Sequence, residues 1–565
     1  MSQHYRPDTG AIDHVLTAVL GAPGVLGALP PHGDYDLDLQ RQVLEAAGEF
    51  VASVVAPLSR VGDEVGARWD AGKVTMPPGF REAHQAFWEG GWPALSHAPE
   101  DGGQGLPVVL EMVLYEMLSA ANHGWTMAPG LLTGAYETLR HHGDETVRAL
   151  FVPKVATGEW LATMCLTEPH AGSDLGLVRT RAVPQAGPHG ATHRLTGGKI
   201  FISGGEHDLT DNIVHLVLAR LPDAPPGPKG LSLFVAPKVL PDGTRNAVFC
   251  DRIEEKMGLH GSPTCVMRFE DTVAWQVGEA GKGLNAMFIM MNAARLHVAL
   301  QGIGLLDAAH QKAAAYALER RQMRAPGAKE TSLIGEHPAV RRILDTQRAW
   351  VDCGRVLAYR TAVALDEAQH HPDAARREAA QRWCALATPI MKAAFTDQGF
   401  HGASACLQVF GGHGYVSEWG IEQIVRDSRV AMIYEGTNEI QALDLLQRKV
   451  VPDGGAALAA AFADLQPATA DAARFATLAA LARRIAEAAP ARVDLPAWVA
   501  DDFLRACALA LLGWAGSRLA AVPQSGEPRW SEPLQALRTW VLPEFEMRVR
   551  IIEDRLAAVP ATDTA

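Results

Sequence analysis

HRLTGGKIFISGGEH, residues 193–207, is the stretch on which the fold turns. Its apolar residues do not return every three or four positions. They alternate, and glycine pairs bracket them, so the segment reads as a strand between turns. Alternation places Phe201 and Ser203 on one side of that strand. A ring and a hydroxyl side by side suit a flat ligand, but the same pattern serves if Phe201 is core and Ser203 incidental.

Neighbouring segments have the same character. NIVHLVLARL (212–221), KGLSLFVAPKV (229–239), AVFCDRI (247–253) and TCVMRFEDTVAW (264–275) are short, rich in Val, Ile, Phe and Thr, and divided by Gly, Pro and Asp. No helix-length segment interrupts them. That excludes a doubly wound α/β fold and predicts a middle antiparallel β domain over 160–280.

The period on either side is helical. Upstream, 36–61 and 106–123 place apolar residues every three or four positions, so 36–159 is expected to be an N-terminal helical domain. Residues 1–35, with LGAPGVLGALPPHGD, read as a loop-like N-terminal extension. Downstream, 283–323 reads as one long helix, followed by helices over 337–369 and 373–399. Long apolar-striped helices with short connections predict a four-helix bundle over 281–450. After VPDGG (451–455) a further, separate set of helices begins, and 451–565 is expected to be an additional C-terminal helical domain for packing or assembly. The fold class is thus α+β.

Composition narrows the function. The 565 residues are 48% hydrophobic and 20% charged, with net charge -13, which argues against a general nucleic-acid binder. Cys165, Cys250, Cys265, Cys353, Cys384, Cys406 and Cys507 form no CxxC pair, so neither a disulfide scaffold nor a metal knot is expected. MSQHYRPDTGAIDHVL has no basic segment leading into an apolar run, and no apolar stretch of about 18 residues is free of charge. A cytoplasmic protein without a membrane span is expected.

Three polar segments can carry chemistry. MCLTEPHAGSDLG (164–176) crowds Thr167, Glu168, Ser173 and Asp174 with glycines, which let backbone N–H groups approach a ligand; an ordinary polar turn has the same composition. LQVFGGHGY (407–415) brings glycines close after a helical run, but it lacks the spacing and leading strand of a dinucleotide fingerprint. His413 there is most simply structural or on the surface. IYEGTNEIQ (433–441) sets Glu435 at a helix break. Thr437 can cap a helix beginning near Asn438, which leaves Glu435 either a local structural group or a base. Glu168 is the rival carboxylate, and its place in a turn favours structural hydrogen bonding.

TEPHAGSD, KIFISGG, GLHGSPT with FED, AARL, ALERRQM, QVFGGHGY and IYEGTNEIQ together resemble, in this order, the flavin-dependent acyl-CoA dehydrogenases, over residues 36–450. HYRP, PPGFREAHQAFWEGGWPAL, DGGQGLP and the extension past 450 are similar to a long bacterial subgroup of that family. The resemblance implies an acyl-CoA dehydrogenase-like fold, FAD as cofactor and an acyl-CoA substrate. It also implies electron-transfer flavoprotein as acceptor and a homo-oligomer, at least a dimer.

It implies residue roles too. Glu435 takes the place of the catalytic base, flanked by Tyr434 and Gly436 on the substrate side. Leu166 and Thr167 would meet the flavin pyrimidine edge. Phe201, where tryptophan is common, would lie against the flavin, and Ser203 would approach its N5. Thr437 would sit near the FAD pyrophosphate or ribose. Ser173 would face the phosphate and pantetheine of coenzyme A, and Arg295 would lie near the base. Arg320, Met323, Gln408, Gly411 and Gly412 match positions that hold the adenine half of a neighbouring subunit's FAD. The family's Arg-x-x-Phe-Gly reads here Arg320-Arg321-Gln322-Met323-Arg324, so an aromatic contact is replaced by a soft apolar one.

The implied reaction is α,β-dehydrogenation to a trans-2-enoyl-CoA. The base removes the α-proton and the β-hydride passes to flavin N5. The thioester oxygen would be held by the Glu435 backbone N–H and a ribityl hydroxyl. The substrate that the resemblance implies is a short sulfur-containing thioester such as 3-methylthiopropionyl-CoA, or equally a medium- or long-chain fatty acyl-CoA. Two other readings share the fold: an acyl-CoA oxidase or flavin monooxygenase, and a non-catalytic binding or assembly protein.

Overall fold

A computed structural model of the chain describes residues 4–187 and 190–558. Two compact units form within it. One comprises Met1–Glu49, Pro107–Ala120 and Val298–Ala565; the other comprises Phe50–Leu106 and Ala121–His297.

The second unit contains the strands. A small hairpin, β1 (Arg68–Asp70) with β2 (Lys73–Thr75), interrupts the region expected to be wholly helical. Gly72, at φ 85°, makes its turn. The main sheet holds β3 (Leu161–Cys165), β4 (Arg181–Gly187), β5 (Gly190–Ser203), β6 (Ile213–Arg220), β7 (Leu231–Pro237), β8 (Val248–Ile253) and β9 (Thr264–Val277). Strands β6, β7, β9, β5 and β4 pair in a ring that closes where Arg181 meets Arg220. The sheet is not purely antiparallel, because β3 runs parallel to β6 from Leu161↔Ile213 to Cys165↔Val217. A short β3 beginning straight after a helix carries no sequence signal of its direction.

The first unit is helical. Its long elements are Pro338–His370 and Ala374–Val409, with the C-terminal part of Gly283–Ala317. The helix Gly283–Ala317 is long and apolar enough to cross a membrane, but 78% of its most apolar window is buried within the protein. It ends at Ala317, six residues short of the expected end at Met323. The chain there turns into an antiparallel bridge: Gln322 donates to the Ser332 carbonyl at 3.1 Å, and Ser332 donates to the Met323 carbonyl at 2.9 Å. Met323 takes φ 57°, which no helix accommodates.

Residues 9–32 are not loop-like. Asp8 accepts a hydrogen bond from the Ala11 N–H at 3.0 Å and starts a helix at Thr9; Pro23 and Pro30 sit in the first turns of two further short helices. The glycines and prolines that suggested loop are start signals here. The helices after residue 450 belong to the same unit as the bundle and are not a separate body. Arg529 forks onto Asp352 of the bundle at 2.8 and 3.1 Å.

A charged network lies in this unit's core. Arg355 is fully buried and reaches Glu116 at 2.7 Å and Asp307 at 2.9 Å. Tyr359 donates to Glu116 at 2.6 Å, and Tyr5 to Asp307 at 3.1 Å. Burial alone would raise the Asp307 carboxyl, but Arg355 and Arg348 hold it below its ordinary value.

Candidate active site

The residues singled out in the sequence fall into two groups, one in each unit. In the second unit, Leu166 and Thr167 follow β3, and Phe201 and Ser203 end β5. Two bonds tie the segments together: Ile200 donates to the Thr167 carbonyl at 2.9 Å, and Lys199 Nζ donates to the Leu166 carbonyl at 3.0 Å.

Beneath them lies a buried ion pair. Lys199 Nζ is 2.9 Å from Glu168 Oε1, and neither side chain meets appreciable water. Glu168 also accepts from the Thr180 N–H at 3.0 Å, the Thr180 hydroxyl at 2.6 Å and the Arg179 N–H at 2.8 Å. Burial opposes its charge, but Lys199 and these donors hold the carboxyl below its ordinary value. Burial in turn pulls Lys199 below its ordinary value against the pull of Glu168. Glu168 thus has the structural role expected of it. Lys199 was not singled out, although a lysine within a strand's apolar run is a signal that it needs a partner.

The register of β5 against β9 shifts between Lys199 and Ile202, and Phe201 sits in that irregularity at φ 60°. The strict alternation behind its expected side is therefore interrupted. Ile202 is buried, Ser203 half-buried, and Phe201 is 60% exposed. An exposed ring on a backbone held in the left-handed region is strained and outward-facing. Core packing does not explain it. Ser173 is exposed in the following loop, where Asp174 accepts from the Gly176 N–H at 2.9 Å. Arg295, on the long helix, is buried.

In the first unit, a short helix ends near Met432, and another runs Asn438–Leu443. Between them Glu435 takes φ 57° and Gly436 φ 84°. The loop is held through its carbonyls. Gln441 Nε2 donates to the Glu435 carbonyl at 2.9 Å; Lys392 Nζ donates to the Gly436 carbonyl at 2.8 Å and to Asn438 Oδ1 at 3.0 Å. Thr437 caps the helix, its hydroxyl accepting from the Ile440 N–H at 3.4 Å. A hydrogen bond with Thr437 also holds the Glu439 carboxyl below its ordinary value. Tyr434 donates to Gln301, and burial, with the nearby Glu435 charge, pushes its phenol up. Gln441 and Lys392 were not foreseen; both are fully buried polar residues on helices. Lys392, in TPIMKAAF, stands out only as a charge in an apolar run.

Arg320, Met323, Gln408, Gly411 and Gly412 all lie on the surface. Arg320 and the glycine segment are linked through Tyr316: the Arg320 N–H donates to its carbonyl at 3.0 Å, and its hydroxyl is 2.8 Å from His413 Nδ1. His413 stacks on Trp419 at 4.6 Å and Tyr316 on Phe410 at 4.3 Å, so His413 is structural. No atom would meet a side chain added at Gly411 or Gly412, so the outer face of this turn is open.

Comparison with known proteins shows the family. Residues 38–159, 163–272 and 281–450 match, in turn, the families described as acyl-CoA dehydrogenase N-terminal, middle and C-terminal domains. A 3-methylmercaptopropionyl-CoA dehydrogenase of Ruegeria pomeroyi is 44% identical over 449 residues, covering 78% of this chain and 76% of that one. The broad-specificity linear acyl-CoA dehydrogenase FadE5 of Mycobacterium tuberculosis is 36% identical over 486 residues, covering 81% and 77%. Among solved structures, an acyl-CoA dehydrogenase from Bacillus anthracis complexed with FAD superimposes with TM-score 0.74 at 20% identity, covering 92% of this chain and 88% of that one.

Proposed function

The chain belongs to the acyl-CoA dehydrogenase family, and from that premise we propose that it removes hydrogen from the α and β carbons of an acyl-CoA thioester, with Glu435 as the base. The observation that carries this reading is the Glu435 backbone, held at φ 57° by a bond from Gln441 to its own carbonyl. Backbone strain retained at a carboxylate between two short helices fits a group placed for chemistry rather than for packing.

The residues fit FAD. Phe201 offers an exposed flat face, and Leu166 and Thr167 lie beside it on a backbone fixed by Lys199 and Ile200. When bound, FAD supplies the acceptor for the β-hydride, which no side chain can replace. The chain's own residues do the rest. The Glu435 carboxylate takes the α-proton, and its backbone N–H orients the thioester oxygen and offsets the charge that develops there. Tyr434 and Gly436 shape the space beside it; Thr437 and, in the other unit, Ser203 are proposed contacts of the cofactor. Ser173 serves the coenzyme A end, and Arg295 is a proposed substrate contact.

Arg320, Met323, Gln408, Gly411 and Gly412, all exposed, would receive the adenine half from a second copy, so the working form is at least a dimer. Electron-transfer flavoprotein is the proposed acceptor and the cytoplasm the proposed compartment. Similarity to the Ruegeria enzyme favours a short thioester, 3-methylthiopropionyl-CoA first; similarity to a linear acyl-CoA enzyme makes longer straight chains the comparison set.

The test is anaerobic titration of the purified flavoprotein with these thioesters. Bleaching of the flavin by 3-methylthiopropionyl-CoA, with slow return of colour in air, is expected. Rapid return with hydrogen peroxide identifies an oxidase, and no bleaching by any thioester overturns the assignment.

A further inference from the structure

The helix Pro338–His370 carries Arg360 to the wall of a cavity of about 290 Å³, well apart in sequence from every residue assigned to the reaction. Residues Ala461, Asp464 and Gln466, from the segment after residue 450, line its other side. The Arg360 guanidinium lies over the Trp383 ring, 4.5 Å from its centre, and 6.0 Å from that of Trp514. Among the described residues it makes no hydrogen bond and no ion pair. A guanidinium has five N–H donors in one plane, and stacking on rings satisfies none of them. Burial pulls its pKa below the ordinary value, against the more distant charge of Glu367.

The surrounding charges are already matched. Glu367 is paired with Arg376 at 2.7 Å, and Asp464 with Arg382 at 2.8 Å. With Arg382 just outside the lining counted against Asp464, Arg360 is, among the described residues, the one guanidinium at the cavity without a carboxylate partner. The walls are fixed. Trp383 Nε1 donates to the Thr361 hydroxyl at 3.0 Å, and Trp514 Nε1 donates to the Leu465 carbonyl at 3.1 Å. Next to Leu465, Gln466 is held at φ 48°, a left-handed conformation that a side chain adopts only when its surroundings impose it.

We propose that this cavity binds a small organic monocarboxylate, its two oxygens taking parallel N–H bonds from Arg360 and its apolar part lying against Trp383, Ala380 and Ala461. One unpartnered guanidinium calls for a monoanion. A planar fork matches the two oxygens of a carboxylate better than a point charge does. The volume is at the small end for ligand sites and suits an acid of a few carbons. The site joins the bundle to the extension, so occupancy ties the two together.

The experiment uses the full-length flavoprotein and sodium propionate as probe, against sodium chloride and sodium phosphate at equal ionic strength. Calorimetric titration and thermal melting are followed together. Saturable binding of propionate with a rise in melting temperature is expected, with flavin content unchanged. Arg360→Lys, which keeps the charge and loses the fork, is expected to bind at least about tenfold more weakly. Ala463→Trp, which obstructs the cavity and leaves Arg360 intact, is expected to do the same. Both variants are expected to keep wild-type turnover. The proposal is overturned if propionate shows no saturable binding to the wild type, if both variants bind it as tightly as the wild type, or if phosphate binds and propionate does not.

Discussion

Gln441 Nε2 donates to the carbonyl oxygen of Glu435 at 2.9 Å and to that of Gly436 at 3.3 Å. A helix that begins after the loop therefore reaches back and fixes the loop's backbone. The bond turns the Glu435 peptide into a conformation it would not keep alone, and so couples the helix Asn438–Leu443 to the position of the proposed base.

Replacing Gln441 by Leu removes that donor from the Glu435 carbonyl, while the Gly436 carbonyl keeps its bond from Lys392. A loss of about 1–3 kcal/mol in stability is expected. Turnover should fall at least about tenfold while substrate binding changes less. Urea melts and steady-state kinetics separate the two effects.

Thr437 holds the cap, and Thr437→Ala should cost about 1 kcal/mol. Thr437→Ser keeps the hydroxyl and is expected to restore most of it. Comparing the two melts isolates capping from the loss of a methyl group.

Phe201→Ala removes an exposed ring, so the apoprotein's stability should change by no more than about 0.5 kcal/mol. Flavin affinity and the flavin absorption spectrum should change clearly. Equal flavin affinity in the variant would remove Phe201 from the cofactor site.

The Lys199–Glu168 pair gives a pH signature. The folded Glu168 carboxyl lies below its ordinary value of about 4.5. Its contribution is therefore present above about pH 4.5 and lost as pH falls through the folded value. Lys199→Met strands the buried carboxylate and should cost about 3–5 kcal/mol near neutrality. The carboxyl then titrates above its ordinary value, so this variant gains stability on mild acidification, where the wild type does not. Denaturant melts between neutral and acid pH read the opposite slopes.

Much of this was legible before the structure. The change of period near residue 160 marked the sheet, because side-chain periodicity follows directly from backbone geometry. Thr437 as a cap followed from a threonine just before a helical run. Long-range pairing was not legible. Nothing local in Leu161–Cys165 says that it runs parallel to β6, Ile213–Arg220. The end of the long helix at Ala317 depends on Ser332 and Ile334, which close a bridge onto Met323 and Arg320. Glu435 and Gly436 were visible as a helix break, yet Lys392 and Gln441, which hold it, come from a helix some forty residues earlier and from the next turn. Sequence shows where a backbone must bend; which distant side chain satisfies the bent backbone is decided by packing.

The central claim is that Glu435 takes the α-proton. The most direct measurement is the rate of anaerobic flavin reduction by 3-methylthiopropionyl-CoA in Glu435→Gln against wild type, at equal flavin content. A fall of about 10²–10⁴-fold is predicted, as for removal of a general base. Reduction at the wild-type rate in the variant would contradict it.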